Sequence, residues 1–312
     1  SAASDVYKRQ TVRPRKKPKK KRLGYDPHVS IDLHIHSTAS DGTLAPAEIV
    51  AHARKIGLTA IALTDHDTVD GVHQILLNGL PQDLHFITGV ELSAAPPSGF
   101  PCQGSLHLLG YGFRHDDQDL ARQLHKLQDA RRNRNPQIIV KLQSLGIDIT
   151  VAELEATDVK RQTGRPHIAR LLLEKGVVTS FDEAFERYLG NDKPAYVDKY
   201  RVESRRAIQL IRQAGGIPVL AHPGLIHPTS PWRLADLLAE LKAYGLKGLE
   251  VYYPEHSENQ TRAFHDLARR HGLVATGGTD FHGAIKPGVE MGSADGNFAV
   301  PFHVYEKLLA LL

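Results

Sequence analysis

Seven short apolar runs, most of them tied to a segment of helical period, constrain this chain more tightly than any other feature. VSIDLHIH, TAIALTDHD, HFITGVELS, LHLLGYG, GGIPVLAHP, LKGLEVYYP and HGLVATGGTDFHG read as buried strands. Pro46 opens AEIVAHARKIG, whose Ile49, Ala53 and Ile56 fall at helical spacing before Gly57 stops it. SRRAIQLIRQAG and TRAFHDLARRHG play the same part before later strands. Strands and helices alternating in this order argue for a parallel α/β barrel. One link departs from the pattern. SAAPPSGFPCQG, between the third and fourth runs, is too short and too rich in Pro and Gly to hold a crossover helix.

From about residue 115 to about residue 200 the strand signal disappears. ARQLHKLQDARRNRNPQIIVKLQSLG, VAELEATD, RPHIARLLLEKG and SFDEAFERYLG all read as helices, the third with Pro166 in its first turn and Gly176 at its end. The expected organisation is a first barrel part over residues 28–114, a helical insertion over 115–200 capping one barrel end, and a second barrel part over 201–312.

Charge is distributed unevenly. Residues 8–22 hold ten of the 39 Lys and Arg, and residues 1–22 hold a single acid, Asp5; the remainder has 29 basic and 34 acidic residues, a net of −5. Residues 1–27 therefore read as a disordered basic tail, with its first ten residues unlike a natural domain start and no apolar core of a signal peptide. No apolar run approaches the about 20 residues a bilayer-spanning helix needs. With Cys102 as the only cysteine, no intrachain disulfide is available, and a reducing, cytoplasmic setting is the expectation.

Simple strand alternation puts Ile31, Leu33 and Ile35 on one face and Asp32, His34 and His36 on the other. Two imidazoles on a strand built for burial need a partner. A metal ion is the simplest, and a hydrogen-bonded histidine pair at a strand end is the plainer alternative. The other runs favour the metal, because each of them but LKGLEVYYP ends in a comparable group: His66, Glu91, His107, His222, then Asp280 and His282. In α/β barrels the carboxyl ends of the strands form the active-site face. With Asp41, just after the first strand, nine N or O donors are available, suited to two or three divalent ions with a bridging carboxylate. Mn²⁺ is the expected ion, with Zn²⁺ or Fe²⁺ as alternatives.

HIHSTASDG, ALTDHDTVDG, GVELS, HLLGYG, VLAHPG and TGGTDFHG resemble, in order, the motif series of the PHP (polymerase and histidinol phosphatase) family, from about Val29 to Gly292. The insertion with GRPHIARLL and DKPAYV, and the later YYPEHS, resemble the branch acting on nucleoside 3′,5′-bisphosphates and RNA 5′ ends. The resemblance implies a distorted (β/α)₇ TIM-like barrel with a trinuclear metal centre. By motif, His34, His36, Glu91 and Asp280 would hold one ion. Glu91 would bridge to a second with His107 and His222, and Asp41, His66 and His282 would hold the third. Asp65 and Asp67 are candidates to orient imidazoles, or else cap the turn after their strand.

Such a centre supplies a bridging hydroxide at neutral pH and clamps phosphoryl oxygens, so phosphate-ester hydrolysis without a phosphoenzyme is the expected reaction. Specificity is expected from the insertion. Arg131 and Arg134 share a helix face, Arg165 precedes a Pro-initiated helix N-terminus with His167 next to it, and Lys193 and His256 complete a cationic rim. Expected partners are a small nucleotide or a short RNA 5′ end, with no membrane. Two other readings stay open at this point: a histidinol-phosphate or other small-ester phosphatase on the same centre, and a metal-binding regulatory module without turnover.

Overall fold

The computed structural model describes residues 30–103, 106–156, 163–231, 233–286, 288–294 and 298–312; the basic tail expected over residues 1–27 lies outside them. The seven expected strands form as β1 (Ser30–Ile35), β2 (Ala60–Leu63), β3 (His85–Ala95), β4 (Leu106–Tyr111), β5 (Ile217–Leu220), β6 (Gly248–Tyr252) and β7 (Val274–Gly277). They pair in chain order. A parallel bridge between Ile35 and Phe281, just beyond β7, brings the sheet's two ends together into a nearly closed barrel. The helices are α1 (Pro46–Lys55), α2 (Asp70–Asn78), α3 (Gln118–Ser144), α4 (Val151–Ala156), α5 (Arg165–Glu174), α6 (Phe181–Ala184), α7 (Ser204–Gln213), α8 (Leu234–Tyr244), α9 (Glu258–His271) and α10 (Phe302–Leu309).

β4 is the strand without a crossover helix before it, and it runs antiparallel to both β3 and β5. This reversal corrects one detail of the sequence reading. His107 lies at the start of its strand, not the end, and the reversal brings it to the barrel end where the parallel strands finish.

Two apolar layers sit on either side of the sheet. Inside, Leu33, Ala62, Ile87, Leu109, Tyr111 and Val219 pack on Val304 and Leu308 of α10. Outside, Ile61, Leu63, Val90, Leu108, Leu220 and Leu249 meet the helices through residues such as Ile49, Ile75, Ile211, Leu238 and Phe264. In β1 the simple alternation fails. Ile31 and Leu33 belong to the inner layer, but Ile35 belongs to the outer one. The register against β2 slips between Asp32 and Ile35, so β1 carries a bulge that turns His34 and His36 inward. Side chains satisfy the backbone there: Tyr111 Oη donates to the Leu33 carbonyl at 2.8 Å, and His34 N donates to Asp32 Oδ1 at 3.1 Å.

The residues between β4 and β5 gather around a third apolar cluster that includes Ile138, Leu142, Leu154, Ile168, Leu172 and Leu189. α3 serves two cores. Its Leu120, Leu124 and Leu127 join the outer barrel layer, and about three turns further on Ile138, Ile139 and Leu142 enter the third cluster. Asp117 caps its start, accepting from Asp119 N and Leu120 N. Truncating fully buried Leu142 to Ala would cost about 2–5 kcal/mol by the usual cavity arithmetic. The last helical stretch departs from a plain α-helix: α6 widens into a π turn, Phe185–Leu189, that ends at Gly190.

Candidate metal centre

All nine side chains singled out by the strand-end pattern converge at one end of the barrel. The bulge in β1 delivers His34 and His36, and close contact with the β7 side fixes their height. A Cβ on Gly278 would stand 2.3 Å from His34 N, so only glycine fits between β7 and Asp280 at that point. Three of the non-glycine residues with positive φ lie here: Asp67 (55°), His222 (25°) and Asp280 (55°). Such strain persists where surrounding structure over-determines the backbone, and it collects at functional sites.

Glu91, fully buried on β3, is the hub. Its Oε1 stands 2.8 Å from His107 Nδ1 and 2.9 Å from His222 Nε2. Its Oε2 stands 2.9 Å from His66 Nδ1, 3.2 Å from His36 Nε2 and 3.4 Å from His34 Nε2. Asp280 Oδ1 faces the same two rings, 3.4 Å from His34 Nε2 and 3.1 Å from His36 Nε2. On the other side, Asp41 Oδ1 is 3.4 Å from His282 Nε2 and 3.7 Å from His36 Nδ1, and its Oδ2 is 3.9 Å from His66 Nε2.

These donors fit divalent cations. Among the described residues, His34 Nε2, His36 Nε2, Glu91 Oε2 and Asp41 Oδ1 are buried and, despite these close approaches, make no well-formed hydrogen bond, which is costly unless something else occupies them. Around an ion bound at about 2.0–2.1 Å, tetrahedral ligand atoms stand about 3.3–3.4 Å apart. The spacings of 3.1–3.4 Å among His34, His36, Glu91 and Asp280 match that cage. Among the described residues, three groups could each hold an ion: His34, His36, Glu91 and Asp280; His36, Asp41, His66 and His282; and His66, Glu91 and His107. The first is the set implied by resemblance. The second adds His36 to the implied trio, and in the third His66 stands beside Glu91 and His107.

Charge at the centre is balanced by proximity. Burial disfavours the carboxylate of Glu91, but His66, His107 and His34 hold it well below the usual range. Burial likewise disfavours protonated His34, yet Glu250, Asp280 and Glu91 hold that ring well above its ordinary pKa. His107 goes the other way, pushed down to about 4 by burial.

Behind the candidate ligands stands a layer that the sequence reading largely missed. Glu250 of β6 accepts from His34 Nδ1 at 2.9 Å and from His222 N at 2.7 Å. Tyr253 Oη donates to Asp280 Oδ2 at 3.0 Å, and Lys286 Nζ reaches the same oxygen at 3.3 Å. Asp32 ties β1 to the far end of the chain by accepting from Thr279 N and Gly292 N. The available signal was a charged residue inside an apolar run, as in GLEVY. Asp65 and Asp67, candidates to orient imidazoles or to cap the turn, hold hydroxyl and guanidinium groups: Asp65 accepts from Ser37 and Ser40, and Asp67 from Ser93 and Arg131.

Asp41, His66 and His107 also line a pocket whose far wall is basic, made by Arg131, Arg134, Arg165, Lys199 and Arg201 with Phe185. Arg134 is 4% exposed with its Nε lacking a partner, and burial beside Arg131 and Arg165 pushes its pKa down to about 9. Arg165 donates to the carbonyl of Leu189, the last residue of the π turn, at 2.9 Å, and lies over the Phe185 and Tyr196 rings.

Of the expected substrate residues, three lie outside that wall, and Arg131, within it, is already engaged by a carboxylate. Arg131 forks onto Asp67. His167 accepts from Gly164 N and so caps α5. His256 donates from Nδ1 to the Val251 carbonyl and accepts at Nε2 from Gly224 N, which makes it a strut between two loops. Lys193 is exposed, and Lys199 and Arg201 stand in the pocket wall instead. DKYR continues the same basic segment, so Lys199 and Arg201 carried a charge signal, but spacing alone does not tell which of its cations turn inward.

Residues 32–211 match the family model described as the PHP domain. The chain is 33% identical over 251 residues to a 5′-3′ exoribonuclease of Haemophilus influenzae, covering 80% of this chain and 89% of that protein. It is 31% identical over 267 residues to a 3′,5′-nucleoside bisphosphate phosphatase of Chromobacterium violaceum, covering 85% and 92%. A solved Chromobacterium violaceum structure, called an amidohydrolase and holding sulfate without metal, superposes with a TM-score of 0.77 at 31% identity, covering 91% of this chain and 97% of that one.

Proposed function

The chain belongs to the PHP family of metal-dependent phosphoesterases, and on that premise we propose that it hydrolyses phosphate esters of nucleoside 3′,5′-bisphosphates and of RNA 5′ ends. The observation that carries this reading is the basic pocket joined to the candidate centre. A substrate with one phosphoryl group to cleave and a second to be held needs two anion sites side by side. Arg134 and Arg165 have the fork geometry suited to the second. The names of the Haemophilus influenzae and Chromobacterium violaceum relatives point to the same class, and the sulfate in the solved structure is in keeping with a tetrahedral oxyanion.

In this reading the nine convergent side chains hold two or three divalent ions, with Mn²⁺ the ion proposed. Bound ions would lower the pKa of water and polarise phosphoryl oxygens at neutral pH. The protein's own groups do the rest. Glu91 and its histidines keep the charged atoms in place without rearrangement, and Arg134 and Arg165 orient the uncleaved phosphate. Lys199, hydrogen-bonded to Ser93 Oγ at 2.6 Å, stands in the same pocket wall. Residues 115–200 act as a substrate cap that carries Arg134 and Arg165, and the setting proposed is cytoplasmic.

The test is a substrate panel on the Mn²⁺-loaded protein: 3′-phosphoadenosine 5′-phosphate, AMP, histidinol phosphate and a short 5′-phosphorylated RNA. The bisphosphate and the RNA should exceed the two simple monoesters in kcat/KM. Preference for histidinol phosphate would assign the protein to the other branch, and no release of phosphate or nucleotide from any of them would overturn catalysis itself.

A further inference from the structure

Six of the seven strands deliver a candidate ligand to the centre; β6 delivers none. It delivers Glu250 instead, fully buried at the middle of the strand. One oxygen of this carboxylate accepts from His34 Nδ1 at 2.9 Å, and the other accepts from His222 N at 2.7 Å. These two partners come from opposite directions, His34 from β1 and His222 from the end of β5.

We propose that Glu250 is the positioning residue of the metal centre, setting the tautomer of His34 and the backbone of His222 with a single carboxylate. The proposal rests on the reading of these residues as metal ligands. Each half follows from hydrogen-bond chemistry. A carboxylate oxygen accepts, so the atom facing Oε1 is an N–H; with an ion bound, His34 would keep its proton on Nδ1 and turn the Nε2 lone pair to the site it shares with Glu91 and Asp280. His222 sits at φ 25°, a conformation that non-glycine residues rarely adopt. A charge-assisted bond from its N–H holds that turn, and the turn aims Nε2 at Glu91, 2.9 Å away. No neutral side chain of the same shape can do both. A glutamine at 250 has one carbonyl oxygen and one amino group, so it can accept from His34 or from His222, and the amino group then faces the other donor.

The experiment compares wild type with E250Q and E250A by Mn²⁺ titration of the metal-free proteins, reading free ion by electron paramagnetic resonance. E250Q should bind Mn²⁺ about 10–100-fold more weakly, the usual cost of losing a partner behind a ligand. E250A should bind at least as weakly, and E250Q should keep the wild-type circular dichroism. Equal affinity in wild type and E250Q would overturn the proposal while leaving the metal centre standing. A wild type that binds no Mn²⁺ would overturn both. A second measurement needs no variant: ¹⁵N spectra of the Zn²⁺-loaded wild type should find His34 protonated on Nδ1. Protonation on Nε2 would overturn the assignment.

Discussion

Arg131 of the insertion grips Asp67 of the barrel through Nε at 3.0 Å and Nη2 at 2.8 Å, both on the same buried oxygen. The pair fastens α3 across the loop that carries His66. It is the contact through which the basic wall of the pocket is registered against the candidate centre.

Breaking that pair should be costly, because Asp67 is fully buried and loses its forked partner, keeping Lys199 at 3.7 Å and the hydrogen bonds from Ser93. Arg131→Met is expected to destabilise the protein by about 3 kcal/mol at pH 7, at the low end for an orphaned buried charge. Burial opposes ionisation of Asp67, but Arg131 and Lys199 hold its pKa below the usual range. A depressed carboxylate stabilises fully above its unfolded pKa of about 3.9 and loses that contribution below it. The difference between variant and wild type should therefore hold down to about pH 4 and shrink in stronger acid. Urea unfolding across that range reads both effects.

His36 takes part in two of the ligand groups. His36→Ala should lower bound metal and turnover together, since an absent ligand opens the site. Metal analysis beside a phosphate-release assay checks it. Full metal content at normal rate would remove His36 from the site.

Burial disfavours a charged His36, but Asp280 and Glu91 push its pKa up to about 10. Its ring is therefore protonated at pH 7 in the metal-free protein, and an ion must displace that proton. Metal uptake should release protons, and affinity should weaken as pH falls. Titration calorimetry with Mn²⁺ in two buffers of different ionisation enthalpy measures the release directly; identical heats would show that the rings are already neutral.

Arg134→Ala should separate substrates. Charge-assisted bonds are worth about 1.5–3 kcal/mol each, so kcat/KM for 3′-phosphoadenosine 5′-phosphate should fall roughly 10–100-fold. The value for p-nitrophenyl phosphate, which lacks a second phosphate, should change little. Equal losses on both would place Arg134 in the chemistry or the fold.

His256→Ala should behave differently from Arg134→Ala. Removing the strut leaves Gly224 N without its acceptor, at a cost of about 1–3 kcal/mol in stability. Thermal unfolding should register that loss, with no change in the ratio of bisphosphate to simple-ester rates. A changed ratio would return His256 to the substrate site.

The local pattern of the chain determined a good deal by itself. Apolar runs, each short and bounded by Gly or Pro, marked all seven strands, and the Pro- and Gly-rich link before LHLLGYG excluded a crossover helix there, but the antiparallel course of β4 came only with the structure. The nine candidate ligands were legible too, because a polar group at either edge of an apolar run, or just beyond it as with Asp41, is a departure from burial that one sequence displays. What tertiary structure alone decided is how side chains pair across distance. The bulge in β1 depends on the register against β2, Glu250 matters only because β1 and β5 flank its oxygens, and Arg131 turns to Asp67 because a buried carboxylate 64 positions away needs it. Strand and helix periods come from neighbours along the chain. Hydrogen-bond and ion-pair partners are chosen by the geometry of burial, which brings together residues that no spacing relates.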